Sequence, residues 1–203
     1  MKIICIGRNY VDHVNEMNSS IPLEPVFFLK PETAVLKVNQ PFYYPDFSND
    51  IHHEIELVIK INKPGKNISQ EFAYNYYEEI GLGIDFTARD IQNECKEEGL
   101  PWEKAKSFDG SAPIGKFLNK KSLSDLKNIN FHLTINGTCV QLGNSKDMLF
   151  NFDIIIAKVS KYITLKKGDL IYTGTPKGVG PVVIGDKLEG FIEGVKMLEV
   201  RVR

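Results

Sequence analysis

The sequence feature that most constrains this chain is the stretch from Asp50 to Ile61, in which apolar and polar residues alternate. Alternation at period two is typical of a β-strand, whose successive side chains point to opposite faces. Glu54 and Glu56 then lie on the same face, about 6.6 Å apart at a rise of about 3.3 Å per residue. Two like charges held that close repel each other, and a divalent cation between them would remove the cost. The alternative is a half-solvated strand with two ordinary surface glutamates.

A third carboxylate, Asp85, follows the apolar, glycine-bearing run 80–84, which is predicted to be a strand closely approached by another backbone. A carboxylate among apolar neighbours is costly unless it is paired or binds a metal. The pattern over residues 87–98 predicts a helix that begins with a capping box and ends at Gly99. Asp85 therefore lies at a strand-to-helix junction, where catalytic groups are often displayed, and capping that helix is its alternative role.

A short helix is predicted over residues 11–17, and His13 and Glu16 lie three residues apart on one of its faces. A carboxylate beside an imidazole fixes the orientation of the ring, which is what a general base requires. The alternative is an exposed helix with an incidental pair. Because the segment is short and polar, residues 8–20 are expected to form a mobile lid.

Composition sets the class of protein. At 203 residues, with a formal net charge of -1, the chain is expected to form one domain, 1–203, without a broad basic surface for nucleic acid. Three isolated cysteines exclude a cysteine-built zinc site and are typical of a reducing compartment. No apolar run approaches the roughly 20 residues of a membrane span, and residues 1–7 are too few for a signal peptide. We therefore expect a cytoplasmic protein that binds neither nucleic acid nor membrane.

The second half of the chain is predicted to be rich in β-structure. Asn136-Gly137 is the strongest short signal for a two-residue hairpin turn, and residues 190–200 form a final hairpin pattern. Between these hairpins, the glycine-rich loop 173–181 offers free N–H groups that can cradle a carboxylate or a phosphate. The loop lacks P-loop spacing and a following helix, which argues against nucleotide binding.

Seven motifs are distributed over nearly the whole chain. They are Gly7-Arg8-Asn9-Tyr10-x-x-His13, Phe28-Leu29-Lys30-Pro31, His53-Glu54-x-Glu56-Leu57, Asp85-x-Thr87-Ala88-Arg89-Asp90, Leu100-Pro101-Trp102, Lys104-Ala105-Lys106-Ser107-Phe108 and the run from Thr173 to Pro181. Together they resemble the fumarylacetoacetate hydrolase family, and most closely its short acylpyruvase and oxaloacetate decarboxylase members. The resemblance implies an α+β, predominantly β fold of the mixed β-roll type, a homodimer, and no additional N-terminal domain.

The resemblance implies a Mg²⁺ ion, with Mn²⁺ as the alternative, on Glu54, Glu56 and Asp85. An all-oxygen, carboxylate-rich set independently selects a hard cation. The resemblance agrees with the catalytic roles of His13 and Glu16 and adds Lys106 as a third catalytic residue. The substrate contacts come only through the resemblance, and they are Lys30, Arg89, Gln92 and Thr175.

The resemblance implies a small 2-oxo acid as substrate. The expected reaction is metal-dependent C–C hydrolysis of an acylpyruvate to pyruvate and a carboxylate, with oxaloacetate decarboxylation in the same site. An isomerase, tautomerase or decarboxylase of 2-hydroxy-2,4-dienedioates or oxaloacetate is the second hypothesis, and a metal-bound dimeric binding module without turnover is the third. The His13–Glu16 pair favours hydrolysis, which needs an activated water, and with Lys106 it argues against a mere binder.

Overall fold

The computed structural model describes residues 1–17, 20–37 and 40–203. The strands are β1 (Ile3–Gly7), β2 (Val26–Lys30), β3 (Val35–Leu36), β4 (Ile51–His53), β5 (Ile55–Ile61), β6 (Tyr77–Ile84), β7 (Thr87–Ala88), β8 (Ala112–Asn119), β9 (Asn130–Ile135), β10 (Thr138–Asn144), β11 (Leu170–Tyr172), β12 (Gly180–Pro181), β13 (Lys187–Ile192) and β14 (Val195–Arg201). The α-helices are α1 (Val11–Glu16), α2 (Gln70–Ala73), α3 (Arg89–Glu98), α4 (Glu103–Lys106) and α5 (Phe152–Tyr162). Short 3₁₀ helices span Glu32–Ala34, Tyr74–Tyr76, Lys120–Ser122 and Ser145–Asp147. Residues 18 and 19 of the predicted lid lie outside the described residues.

Three sheets organise the molecule. A seven-stranded mixed sheet has the order β2-β1-β11-β5-β6-β8-β3, in which β1 with β11 and β3 with β8 are the parallel pairs. A four-stranded antiparallel sheet, β10-β9-β13-β14, packs against it, since β9, β13 and β14 contact β5, β6 and β8. A three-stranded sheet, β12-β4-β7, lies beside them. Strand β5 is therefore an interior strand of the largest sheet.

The predicted alternation along β5 is confirmed, but its setting differs from the half-solvated alternative. One face of β5 contributes Ile55, Leu57 and Ile59 to the main core. The other face contributes Val58 to a second core, where it packs with Tyr172 and others. Because both faces of this part of the strand are covered, a polar side chain there is withdrawn from bulk water.

The predicted single strand over 50–61 is interrupted at Glu54. Residues before it belong to β4, which pairs with β7 and β12, and residues after it belong to β5, which pairs with β6 and β11. The chain thus passes from one sheet to another at Glu54. This position brings the Glu54 carboxylate to the junction of two sheets.

Helix α3 ends where the sequence predicts, with Gly99 in the left-handed conformation at φ 68°. It begins later than predicted, at Arg89, because Thr87 and Ala88 form β7. The predicted capping box is wrong, because Ala88 occupies the N-cap and no side chain bonds there. The Thr87 hydroxyl instead accepts a bond from Lys106, and the Asp90 carboxylate accepts from Ser48 and the Asn49 N–H. Thr87 is thus bonded to the Lys106 side chain, whereas Asp90 holds residues 48 and 49 against the start of α3.

Both predicted hairpins are confirmed. Asn136 and Gly137 have φ of 52° and 85°, the two positive angles that a tight hairpin turn between β9 and β10 requires. Glu193 and Gly194, at 47° and 76°, make the corresponding turn between β13 and β14. Among the described residues no helix is long and apolar enough to span a membrane.

Candidate active site

Three carboxylates meet at one point of the sheet. Glu54 and Glu56 flank the start of β5, and Asp85 follows the end of β6. Strands β5 and β6 are antiparallel with Ile55 opposite Ile84, and the Asp85 N–H donates to the Glu54 carbonyl over 2.8 Å. As a result one carboxylate oxygen from each residue lies within 4.8 Å of the others, and all three side chains are buried.

Three cationic side chains surround this cluster. The Lys106 ammonium lies 2.8 Å from Glu54 Oε2 and 2.8 Å from Asp85 Oδ2. The Arg89 guanidinium lies 2.6 Å from Glu54 Oε1. The Lys30 ammonium lies 2.6 Å from Asp85 Oδ1 and donates to two backbone carbonyls. Two of the three carboxylates are therefore already in ion pairs.

Glu56 is the exception. Its only hydrogen bond among the described residues comes from the Gly174 N–H, 2.6 Å from Oε2. Burial, together with the charges of Asp85 and Glu54, raises the pKa of Glu56 well above its usual range. Burial also opposes ionisation of Glu54, but the charges of Lys106 and Arg89 outweigh it and hold the pKa of Glu54 well below its usual range. Glu56 thus favours its protonated form, whereas the neighbouring Glu54 favours its ionised form.

The donor set fits a divalent cation. Carboxylate oxygens from three residues converge, and hard cations such as Mg²⁺ and Mn²⁺ prefer this chemistry. Within residues 1–17, 20–37 and 40–203, buried Asp85 Oδ1 makes no hydrogen bond, although Lys30 lies in ion-pair contact with it. Glu56 lacks a cationic partner among the described residues. A cation held by Glu54, Glu56 and Asp85 would satisfy both of these groups.

The predicted His13–Glu16 pair is formed, and His13 lines the same pocket as the three carboxylates. His13 Nδ1 lies 3.1 Å from Glu16 Oε2, and His13 is buried although α1 is short. Glu16 Oε1 accepts the Gly178 N–H over 3.0 Å, and Lys177 pairs with Asp12 at 2.8 Å. The described part of the predicted lid is therefore fastened to the glycine-rich loop.

Helix α3 presents two more of the predicted residues. Arg89 Nη1 donates to Gln92 Oε1 over 2.6 Å, which leaves the Gln92 amide N–H groups for another acceptor. Arg89 Nε is buried and has no hydrogen-bond partner in the part of the chain that the structure describes. The free N–H groups of Arg89 and Gln92 can therefore donate to an anionic ligand bound next to the carboxylate cluster.

Most of the predicted site residues share one pocket. Its lining includes eight of them: His13, Glu54, Glu56, Asp85, Arg89, Gln92, Lys106 and Thr175. The other two lie behind it, with Lys30 against Asp85 and Glu16 against His13. The pocket is also lined by residues to which the sequence analysis assigned no role: Arg8, Met17, Phe28, Lys96 and Trp102.

Gln141 is a supporting residue that the sequence analysis missed. Its side-chain oxygen accepts from the Ile55 N–H at 3.0 Å and lies 2.8 Å from His53 Nδ1. Its amide nitrogen donates to Thr175 Oγ1 and to the Pro176 carbonyl, each over 2.9 Å. Because the Thr175 oxygen accepts this bond, the Thr175 hydroxyl hydrogen is left to donate into the pocket.

The orientation of Gln141 depends on a break in strand register. A bulge lies between Cys139 and Gln141 in the pairing of β10 with β9. A glutamine in a hairpin strand usually indicates a solvent-facing position, and Gln141 instead is only 1% exposed. No local sequence pattern announces the bulge, so only the structure identifies this residue.

We expect Gln141→Leu to lower the thermal unfolding midpoint by about 6–12 °C. The substitution leaves the buried Ile55 N–H and the Pro176 carbonyl without partners, and a loss of about 3 kcal/mol corresponds to this shift for a chain of this size. Leu142→Gln is the matched control, because Leu142 is the next residue and is 69% exposed. Equal midpoints for Gln141→Leu and the unsubstituted protein, measured by circular dichroism, would contradict the assignment.

Comparison with known proteins agrees with this architecture. The model of the fumarylacetoacetate hydrolase C-terminal family matches residues 2–203. The chain is 45% identical over 201 residues to the mitochondrial oxaloacetate tautomerase FAHD1 of Mus musculus, covering 99% of this chain and 91% of that protein. It is 40% identical over 194 residues to the oxaloacetate tautomerase YcgM of Escherichia coli, covering 95% and 89%.

A solved structure extends the comparison to the fold. Fumarylpyruvate hydrolase from Pseudomonas aeruginosa, crystallised with Mn²⁺ and pyruvate, superposes with a TM-score of 0.94 at 36% identity, covering 100% of this chain and 89% of that one. The predicted α+β, mainly β fold of the mixed β-roll type is thereby confirmed. The chain belongs to the fumarylacetoacetate hydrolase family.

Proposed function

We propose that this chain is a divalent-metal-dependent enzyme that stabilises the enolate of a small 2-oxo acid. The observation that carries the proposal is the convergence of Glu54, Glu56 and Asp85 within 4.8 Å, in a pocket that also contains His13 and Lys106. The cation we propose is Mg²⁺, with Mn²⁺ as the alternative; the Mn²⁺ in the related fumarylpyruvate hydrolase supports a divalent ion of this type.

The residues around the carboxylates would bind the substrate and neutralise charge. When bound, Mg²⁺ supplies Lewis-acid polarisation of the 2-oxo group. Lys106 contributes a fixed positive charge beside the developing enolate: although burial opposes its charge, Asp85 and Glu54 raise the pKa of Lys106 and keep it protonated. The free donors of Arg89 and Gln92 would bind the substrate carboxylate.

His13 would move the proton. Glu16 faces Nδ1, so the neutral imidazole donates there and keeps Nε2 as the proton acceptor. With oxaloacetate, Nε2 accepts a proton from C3, and the imidazolium then returns a proton to the enolate oxygen, which completes keto–enol tautomerisation and restores the neutral ring. With an acylpyruvate, Nε2 accepts a proton from the water that attacks the distal carbonyl. The C–C bond then breaks to release a carboxylic acid and the enolate of pyruvate, and the imidazolium returns its proton to C3 of that enolate to give pyruvate.

We rank oxaloacetate tautomerisation first and acylpyruvate hydrolysis second. The two curated relatives above are named oxaloacetate tautomerases, which supports oxaloacetate as the substrate. A mitochondrial oxaloacetate decarboxylase from Dictyostelium discoideum, 41% identical, supports decarboxylation as a side reaction. The preference for hydrolysis in the sequence analysis rested on the His13–Glu16 pair, but the same proton transfer serves tautomerisation and so does not discriminate. The fumarylpyruvate hydrolase relative keeps hydrolysis as the second candidate.

The proposal predicts that the protein accelerates the exchange of enol and keto oxaloacetate in the presence of Mg²⁺, and that EDTA abolishes the acceleration until Mg²⁺ is added back. Enol decay followed by ultraviolet absorbance, with ¹H NMR of the products, measures this. A parallel panel of acylpyruvates and 2-hydroxy-2,4-dienedioates tests the alternatives: release of pyruvate from acylpyruvates alone would select hydrolysis. Full turnover in chelator would reject the metal, and inertness toward the whole panel would leave a metal-bound binding module.

A further inference from the structure

Arg8 has an unusual backbone conformation at the edge of the pocket. Its φ is 60°, in the left-handed region where a residue other than glycine is strained. The next residue holds the turn in place: Asn9 Nδ2 donates to the Thr173 and Phe150 carbonyls over 2.7 and 3.0 Å, and Asn9 Oδ1 accepts the Phe150 N–H over 2.8 Å. Strain that surrounding bonds maintain next to a ligand pocket is a pointer to function.

The Arg8 guanidinium is also unpaired. It lines the same pocket as the carboxylate cluster, and among the described residues nothing forms a hydrogen bond or an ion pair with it. The other cations close to the cluster differ in this respect, because Arg89 and Lys106 are both paired with Glu54. The positively charged guanidinium of Arg8 therefore has its N–H donors free to bind an anionic ligand in the pocket.

Lys96 adds a second positive charge at the same pocket. It lies seven residues after Arg89 on α3, so two helical turns place both on one face, and no acidic partner contacts it among the described residues. Burial and the charges of Arg89, Lys106 and Arg8 lower the pKa of Lys96. Arg8 and Lys96 thus give the pocket lining two cationic side chains that lack an acidic partner among the described residues.

We propose that Arg8, assisted by Lys96, binds the far carboxylate of a dicarboxylic 2-oxo acid and makes the pocket selective for dianionic substrates. The inference rests on the proposed function, since that function puts the carboxylate next to the 2-oxo group on the donors of Arg89 and Gln92, beside the proposed metal site, and leaves the far carboxylate for another cation. A monocarboxylic acylpyruvate has no charged group for Arg8 and Lys96. A dicarboxylate pairs with the Arg8 guanidinium through two parallel bonds, an arrangement that is strong and directional.

Two unreactive ligands of matched length test the proposal by isothermal titration of the Mg²⁺-loaded protein. Malate and 2-hydroxybutyrate share the carboxylate with an adjacent oxygen, and differ in that malate ends in a second carboxylate where 2-hydroxybutyrate ends in a methyl group. We expect the protein to bind malate at least about tenfold more tightly, the size of one charge-assisted contact. Arg8→Gln should reduce this ratio to about one to two, and Lys96→Gln should reduce it less.

Two further variants separate recognition from folding. Arg8→Gly should lose the preference for malate without lowering the thermal midpoint, because glycine adopts a φ of 60° freely. Arg203→Gln removes the same charge from the exposed C-terminal residue, which does not line the pocket, and should keep the full ratio.

The outcomes are distinct. An unsubstituted protein that binds both ligands equally, or Arg8 variants that keep the preference, would overturn this inference alone. An Arg8→Gly variant with a lowered midpoint and equal losses for both ligands would indicate a packing role instead. Failure of both ligands to bind the Mg²⁺-loaded protein would overturn the proposed function, and this inference with it.

Discussion

Glu56→Gln is expected to lower the affinity for Mg²⁺ by more than about 100-fold, because loss of a direct ligand exceeds the 10–100-fold effect typical of outer-shell partners. Activity should fall with it, since the other carboxylates, Glu54 and Asp85, are already paired with cations. The fold should remain intact. Glutamine has the shape of the protonated acid that the raised pKa of Glu56 favours, and its carbonyl oxygen can still accept the Gly174 N–H.

Titration with Mg²⁺ or Mn²⁺, together with a thermal melt, measures both parts of this expectation. The matched control is Glu79→Gln on the neighbouring strand β6, where the carboxylate is partly exposed and pairs with Lys60. That variant should bind metal like the unsubstituted protein. If Glu56→Gln kept its metal affinity, or if it lost affinity only by unfolding, Glu56 would not be a ligand.

The raised pKa of Glu56 allows a second test, which is the release of a proton when the metal binds. Because its pKa is raised, the metal-free protein holds a proton there below that pKa, and metal binding must displace it. Metal affinity should therefore rise as pH increases toward the pKa of Glu56, and binding should release a proton into the buffer. Titrations in two buffers of different ionisation enthalpy detect the release, which Glu56→Gln should lose.

The parts of the site that the sequence predicted are those encoded by local spacing. Period two puts Glu54 and Glu56 on one side of the chain, and a spacing of three puts His13 beside Glu16 on a helix. Both relations involve residues only two or three positions apart, so they do not depend on how the rest of the chain folds. Asp85 was singled out because a lone carboxylate among apolar neighbours needs a partner, which is also a local observation.

The features of the site that the sequence does not predict depend on strand register and on unusual backbone conformations. Gln141 faces inward because a bulge changes its side, and Arg8 faces the pocket from a left-handed turn that Asn9 holds in place. The interruption at Glu54 reflects a change of partner strands, which no single segment of sequence records. Contacts between residues that are distant in the chain determine each of these features. The pattern of residues within one segment therefore cannot predict them.

His13→Ala is expected to slow oxaloacetate tautomerisation and acylpyruvate hydrolysis by about 10²–10⁴-fold, the usual contribution of a positioned general base. Oxaloacetate decarboxylation should lose less than about tenfold, because the departing CO₂ requires no proton transfer to a base. Initial rates for the three reactions at saturating Mg²⁺ give the comparison, and added imidazole should partly restore the first two.

Two further variants help to interpret a loss of activity in His13→Ala. Glu16→Gln keeps an oxygen for the Gly178 N–H but turns its NH2 group toward His13 Nδ1. The neutral ring then accepts at Nδ1 and carries its hydrogen on Nε2, so the same two reactions should slow although the imidazole is still present. His132→Ala is the matched control, because that ring stacks on Phe191 in the four-stranded sheet and does not line the pocket. Equal loss of all three reactions in His13→Ala would mean that His13 supports the carboxylate cluster or the closed position of α1. Selective loss with imidazole rescue would assign to His13 the proton transfer that both tautomerisation and hydrolysis require.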